Sequence, residues 1–189
     1  MCSDQLSLFS DDMPEIQVTQ KKELKVVNTT EIKPETKPQK IEITINMSKE
    51  DKALLEIDQE IENLELENED KLKYLEKIKE IASSCEKCKL AKERTKLVYS
   101  DGNPFADIMI IGEGPGENED LTGIPFVGKA GQFLTKIIES VGINREKDTY
   151  IANIVKCRPP NNRAPEEDEM KACWGYLERQ IEIVNPKII

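Results

Sequence analysis

Ala106-Asp-Ile-Met-Ile-Ile111-Gly112-Glu-Gly-Pro-Gly116 is an apolar run closed by a loop rich in glycine. A run this short, apolar at most positions and punctuated by glycine, predicts a buried parallel strand with a loop at its carboxyl end. Downstream, Lys129 to Val141 carries Phe133, Ile137, Ile138 and Val141 at helical spacing, with Gly142 as the stop. A second strand is predicted through Tyr150–Val155. A helix follows Pro165, its acidic start Glu166-Glu-Asp-Glu169 suiting the helix dipole, and runs towards Ile183. Asn185-Pro186 breaks that helix, and Lys187-Ile-Ile189 reads as the first residues of a third strand. Strand–helix–strand–helix–strand is the order of a parallel α/β sheet with right-handed crossovers.

Upstream, composition divides the 189 residues unevenly. Residues 1–82 carry 12 Lys+Arg against 20 Asp+Glu and residues 83–189 carry 15 against 17, so most of the net charge of −10 lies outside the α/β pattern. Residues 1–47, with few aromatic residues and the proline-spaced Glu31–Lys40, read as a disordered tail. From the candidate N-cap Ser48, Leu54, Ile57, Ile61 and Leu64 recur at helix spacing, and Leu72, Leu75 and Ile78 resume it after a polar interruption. Residues 48–82 therefore read as a helical segment, solvated and leading into a domain over 83–189. The amino terminus has no apolar run fit for a signal peptide and no stretch is long enough to span a membrane. A cytosolic monomer is expected.

Four of the five cysteines, Cys85, Cys88, Cys157 and Cys173, fall in the second half, and the chain has no histidine. Cys85-Glu-Lys-Cys88 is a C-x-x-C pair, whereas Cys157 follows a strand and Cys173 sits in a helix, so only tertiary folding brings them together. Cytosolic disulfides are rare, which favours a sulfur-ligated metal site. Four thiolates suit tetrahedral zinc or an iron–sulfur cluster, and spacing alone leaves both open. Cys2 is assigned no role.

The glycine loop is not the dinucleotide fingerprint G-x-G-x-x-G. Gly123-Ile-Pro-Phe-Val-Gly128-Lys129-Ala130 fits a phosphate-binding P-loop except that Ala130 stands where Ser or Thr would ligate magnesium, and no strand immediately precedes it. Nucleotide triphosphate binding is not expected.

Taken in order, Cys85-x-x-Cys88, Gly112-Glu-Gly-Pro-Gly116-Glu-Asn-Glu-Asp120, Thr122–Gly131, Asn153-Ile-Val-Lys-Cys157-Arg-Pro-Pro160-Asn-Asn-Arg163 and Cys173 closely resemble the family 4 uracil-DNA glycosylases of bacteria and archaea. The resemblance runs from about residue 70 to the end. It implies a three-layer α/β/α fold around a central parallel sheet, with residues 83–189 as the N-terminal part of that domain. It also implies a [4Fe–4S] cluster on Cys85, Cys88, Cys157 and Cys173, with zinc as the alternative. Gly112, Glu113 and Gly114 then fall in the loop lining the uracil pocket, Phe126 stacks on the base and Asn153 reads its polar edge. An amide donates to O4 and accepts from N3–H, a pattern that cytosine reverses. Taken without the other motifs, Phe126 reads as core packing and Asn153 as a capped strand end. Glu113 is the first candidate for the negative charge or polarised water beside the sugar, with Glu119 and Asp120 behind it. The implied activity is hydrolysis of the glycosidic bond of flipped-out deoxyuridine in DNA.

Lys87, Lys89, Lys92, Arg94 and Lys96, with Lys156, Arg158 and Arg163, make a candidate phosphate-facing patch on an otherwise acidic chain. In the tail, Gln5, Leu6, Leu8 and Phe9 resemble the pentapeptide that docks bacterial replication and repair proteins on the sliding clamp. The family supplies a histidine from a later motif, which these residues lack; the expectation is a truncated sheet, instability and greatly reduced or no activity. The competing reading is a non-catalytic, metal-stabilised module that binds DNA or the clamp. An electron carrier is disfavoured because the compact ferredoxin run of cysteines is missing.

Overall fold

A computed structural model describes residues 47–61 and 68–189. The amino-terminal segment with Gln5, Leu6, Leu8 and Phe9 lies outside the described residues.

Helix α1 spans Lys49–Ile61 and α2 spans Asn68–Ser83. Ser48 caps the first, its Oγ accepting from Asp51 N at 3.0 Å. These helices are not the solvated lead-in that their polar composition suggests. Leu54 and Ile57 of α1, and Tyr74, Leu75, Ile78 and Ala82 of α2, are buried in the same core as the α/β region. Helix α6, Glu167–Val184, closes that layer with Tyr176, Leu177 and Ile183. Two polar ties fix the three helices: Arg179 pairs with Asp58, and Lys71 Nζ donates to the Val184 carbonyl at 3.1 Å. A heptad count on α1 and α2 sees only their exposed faces as unremarkable; the apolar stripe is narrow because α6 supplies the rest of the packing surface.

Strands β1 (Ser100–Gly102), β2 (Ile108–Gly112) and β3 (Thr149–Asn153) form a sheet in the order β1-β3-β2. β2 and β3 are parallel, as the glycine-closed run predicts, with Gly112 opposite Asn153. The sheet is nevertheless mixed, not purely parallel, because β1 pairs antiparallel with β3. Ser-Asp-Gly has no apolar alternation by which to read it as a strand. It is held by backbone instead: Gly102 adopts φ +91°, and a Cβ there would lie 2.1 Å from the Thr149 carbonyl oxygen. Beyond β2, Ile188 forms a parallel bridge to Ile108, and Met109 N donates to Ile188 O at 2.9 Å.

Met109, Tyr150 and Ala152 face the helical layer of α1, α2 and α6. The crossover from β2 to β3 carries α3 (Glu117–Thr122), α4 (Lys129–Ser140) and α5 (Arg145–Asp148). It meets the opposite face, where Thr149 Oγ1 donates to Arg145 O at 2.6 Å. Asn185 ends α6 in the left-handed conformation at φ 51°, as the Asn-Pro pair predicts. At the start of that helix Glu169, fully buried, accepts from Glu166 N at 2.8 Å and is gripped at both oxygens by Arg163 at 2.8 and 2.6 Å. The Arg163 guanidinium holds the Glu169 carboxyl down at about 2, against the opposing pull of burial.

Candidate active site and sulfur-lined cavity

Gly112 ends β2, and the loop that follows runs on beside β3 through Ile154 N to Gly112 O at 2.8 Å and Val155 N to Glu113 O at 3.1 Å. This loop, Asn153, and the turn before α4 surround a cleft of about 510 Å³, lined among others by Gly114, Glu119, Phe126, Lys129, Asn153 and Asn162. Such a volume suits one nucleoside.

The three base-pocket candidates meet at one point. A Cβ on Gly112 would lie 2.5 Å from Asn153 Oδ1 and 2.6 Å from the Phe126 ring, so only glycine lets the amide and the ring close on each other. Asn153 is 2 % exposed, and its side-chain amide has no hydrogen-bond partner among the described residues. Its polar atoms open on the cleft, where water or a ligand can complete them. Strand pairing fixes its backbone, so the reading as a strand-end cap gives way to an amide turned to the cleft.

The acidic candidates separate sharply. Glu119 is buried and its carboxylate accepts from Gly116 N at 3.1 Å, Val127 N at 2.9 Å and Gly128 N at 2.7 Å. Asp120 is buried and accepts from Thr95 N at 2.9 and 3.1 Å. Both carboxylates are thus occupied in holding loops. Glu113 is exposed, and no hydrogen bond engages its carboxylate among the described residues. The Gly116-x-x-Glu119 spacing is that of a helix-capping box, a signal in the sequence for Glu119's clamping position.

Cys85, Cys88, Cys157 and Cys173, all free thiols, line a single cavity with Ala82, Ala91, Leu97 and Tyr176. Arg94 Nη1 donates to Cys157 Sγ at 3.5 Å and to the Cys85 carbonyl at 3.0 Å, and Lys156 N donates to Cys173 Sγ at 3.3 Å. Burial pushes the Cys173 thiol up to about 12 and raises that of Cys157. Becoming thiolates in this apolar setting requires a bound cation. The Tyr176 hydroxyl, buried on the same wall, has no hydrogen-bond partner among the described residues. Four sulfurs lining one cavity, two N–H donors to sulfur and an orphaned hydroxyl fit a thiolate-ligated group. Among the described residues no three Cys, Asp or Glu are arranged to hold a single ion.

The basic patch is reduced. Lys156 is fully buried, against the expectation of a phosphate contact: Nζ donates to Asn153 O at 2.8 Å and Gln180 Oε1 at 2.5 Å, and burial lowers its pKa to about 8. Lys87 pairs with Asp51 at 2.5 Å, Lys89 with Glu166 at 2.5 Å and Arg163 with Glu169. Arg158 donates to Asn162 Oδ1 at 2.8 Å at the rim of the cleft. Lys92 and Lys96 are exposed and form no ion pair among the described residues. No helix among the described residues is long and apolar enough to cross a membrane.

A family model described as the uracil DNA glycosylase superfamily matches residues 99–189. A type-4 uracil-DNA glycosylase of Sulfurisphaera tokodaii is 59% identical over 116 residues, which is 61% of this chain and 52% of the relative. Residues 99–189 thus match the uracil DNA glycosylase superfamily model, and the chain is similar to type-4 uracil-DNA glycosylases. The type-4 uracil-DNA glycosylase of Thermotoga maritima is 50% identical over 115 residues, covering 61% of this chain and 59% of its own. A DNA polymerase of Bacillus phage SP01 is 36% identical over 94 residues, half of this chain but 10% of that protein. The chain spans a little over half the length of the glycosylases that it matches. Arg145, which reaches the Phe126 turn, carries no signal in the sequence, because Asn-Arg-Glu-Lys reads as an ordinary polar turn.

Proposed function

We propose that this protein recognises deoxyuridine flipped out of DNA and hydrolyses its bond to the sugar. The observation that carries the reading is Asn153, buried, unpaired and turned into a cleft beside an aromatic ring. Uracil offers O4 as acceptor and N3–H as donor, which one amide satisfies together, while cytosine leaves both halves of it unpaired. Stacking on Phe126 adds about 1–3 kcal/mol.

Cleavage breaks the bond between C1′ and N1: the electron pair leaves with uracil, C1′ becomes cationic, and water adds there and gives up a proton. Glu113, an exposed carboxylate in the loop that does not itself line the cleft, would orient and polarise that water. Glu119 holds the Phe126–Gly128 turn by its N–H groups.

The four cysteines are proposed to hold a [4Fe–4S] cluster. The reading rests on sulfurs that surround a cavity without converging on one ion, and zinc is the alternative. When bound, the cluster supplies structure, tying the Cys85–Cys88 segment to the end of β3 and to α6. Lys92 and Lys96 are left to meet phosphates, with Arg158 at the rim where Glu117 pairs with it at 3.8 Å.

An oligonucleotide carrying one deoxyuridine, single- or double-stranded, tests the function. The expected result is tighter binding than to the thymidine counterpart, with release of free uracil. Equal affinity for the two and no release would sink it, and binding without release would favour the non-catalytic module. Gln5, Leu6, Leu8 and Phe9 are proposed to dock on a sliding clamp. Deleting residues 5–9 is expected to abolish capture by immobilised clamp; undiminished capture would reject the motif.

A further inference from the structure

Phe126 has φ +56°, a left-handed conformation that costs a bulky side chain free energy and persists only where neighbours impose it. The neighbours come from two sides. From one, the Glu119 carboxylate accepts the N–H groups of Val127 and Gly128. From the other, a single guanidinium holds the two preceding carbonyls: Arg145 Nη2 donates to Pro125 O at 2.7 Å and Nη1 to Phe126 O at 3.0 Å. The same Arg145 donates from Nε and Nη2 to Asp101 Oδ2 at 3.2 and 2.9 Å, and from Nη1 to Thr135 Oγ1 at 3.2 Å. Its side chain is 13% exposed and that of Asp101 31%, so solvent screens the pair only in part. Gly131 completes the seat, because a Cβ there would lie 1.9 Å from the Phe126 carbonyl oxygen.

Neither Arg145 nor Asp101 lines the cleft. Accepting the uracil reading above, we propose that Asp101 and Arg145 are positioning residues for base recognition: a latch between the edge strand β1 and α5 that fixes the Phe126 ring against Gly112 and Asn153. The planar fork matters. One ammonium cannot meet two successive carbonyls and a carboxylate on the opposite edge at once, so lysine does not substitute for arginine here. Asp101 keeps the fork in plane, and its loss leaves the guanidinium free to swing while the charge remains.

Arg145→Met, Arg145→Lys, Asp101→Asn and Phe126→Ala in the full chain test the latch, at a temperature where melting curves show every variant folded. Affinity is measured for an oligonucleotide with one deoxyuridine and for the same oligonucleotide with a tetrahydrofuran abasic residue in its place. The ratio isolates the base, since phosphate contacts are common to both. Arg145→Met and Arg145→Lys are expected to lower the ratio about tenfold with abasic affinity unchanged, and Asp101→Asn to lower it less. In the Phe126→Ala background Arg145→Met should lower it no further, because the latch acts through the ring. An unchanged ratio, equal losses on both oligonucleotides, or additive losses with Phe126→Ala would overturn the proposal. If the unsubstituted chain binds both oligonucleotides equally, the uracil reading fails instead. The latch is then decided by amide hydrogen exchange over residues 124–129, which Arg145→Met must accelerate for it to stand.

Discussion

Cys157→Ser is expected to abolish the visible absorption of the proposed cluster and to lower the melting temperature by about 10 °C or more. The sulfur-lined cavity underlies both effects. Cys157 is buried at the end of the segment that continues β3, and its Sγ accepts from Arg94, whose other bonds run to the carbonyls of Cys85 and Ser83. A serine oxygen is shorter and harder than sulfur and leaves both the ligand set and the guanidinium poorly matched. A structural metal site contributes several kcal/mol of folding free energy, and a chain of this size loses about 2–4 °C per kcal/mol. Cys173→Ser should behave likewise, whereas Cys2→Ser should change neither property. Iron and acid-labile sulfide in the unsubstituted chain should reach about four of each. Zinc in place of iron would reject the cluster while keeping the site; full colour and unchanged melting in Cys157→Ser would reject Cys157 as a ligand.

Much of this arrangement is legible in the amino-acid order. The run ending at Gly112 forms the parallel strand that it predicts, Tyr150–Val155 supplies its partner, and Gly142 and Asn185 stop helices where their left-handed conformations are needed. These features are local: a period, a cap, a breaker. What the order conceals depends on partners distant in sequence. The polar helices α1 and α2 belong to the core because α6 meets their narrow apolar faces. β1 is a strand because Tyr150, Ile151 and Ala152 pair with it, not because Ser-Asp-Gly favours one. Lys156 shows the same in the site. Between Val155 and Cys157 it reads as a basic residue near DNA, yet Gln180 and the Asn153 carbonyl, brought together by β3 and α6, draw the ammonium inside. Likewise Glu119 is one of three acids in Glu117–Asp120 until three backbone N–H groups close on it. Composition cannot separate Glu119 from Glu113; hydrogen-bond bookkeeping does.

Asn153→Ala is expected to erase most of the preference for uracil over cytosine, by about 10²-fold or more, while leaving the visible band and the melting temperature nearly unchanged. The asymmetry follows from what the amide touches. Within the protein its side chain has no partner to lose, so truncation leaves no orphan behind. Towards the base, two directional bonds are lost with uracil and none with cytosine, and a site built to pair polar groups discriminates by 10⁴-fold or more when both are lost. The backbone at this position is secured independently: Gly112 is its strand partner, and Lys156 Nζ donates to its carbonyl at 2.8 Å. Lys156 in turn donates its own N–H to Cys173 Sγ. The base-reading amide and the sulfur cavity therefore share one short segment, Asn153–Cys157, and the two substitutions should differ in direction of influence. Losing the sulfur site loosens Lys156 and with it the Asn153 backbone, so Cys157→Ser should also weaken uracil preference. Losing the amide reaches no sulfur. Measuring affinity for uracil- and cytosine-containing oligonucleotides alongside absorbance for both variants checks the pair. A preference retained in Asn153→Ala would remove the amide from base reading altogether.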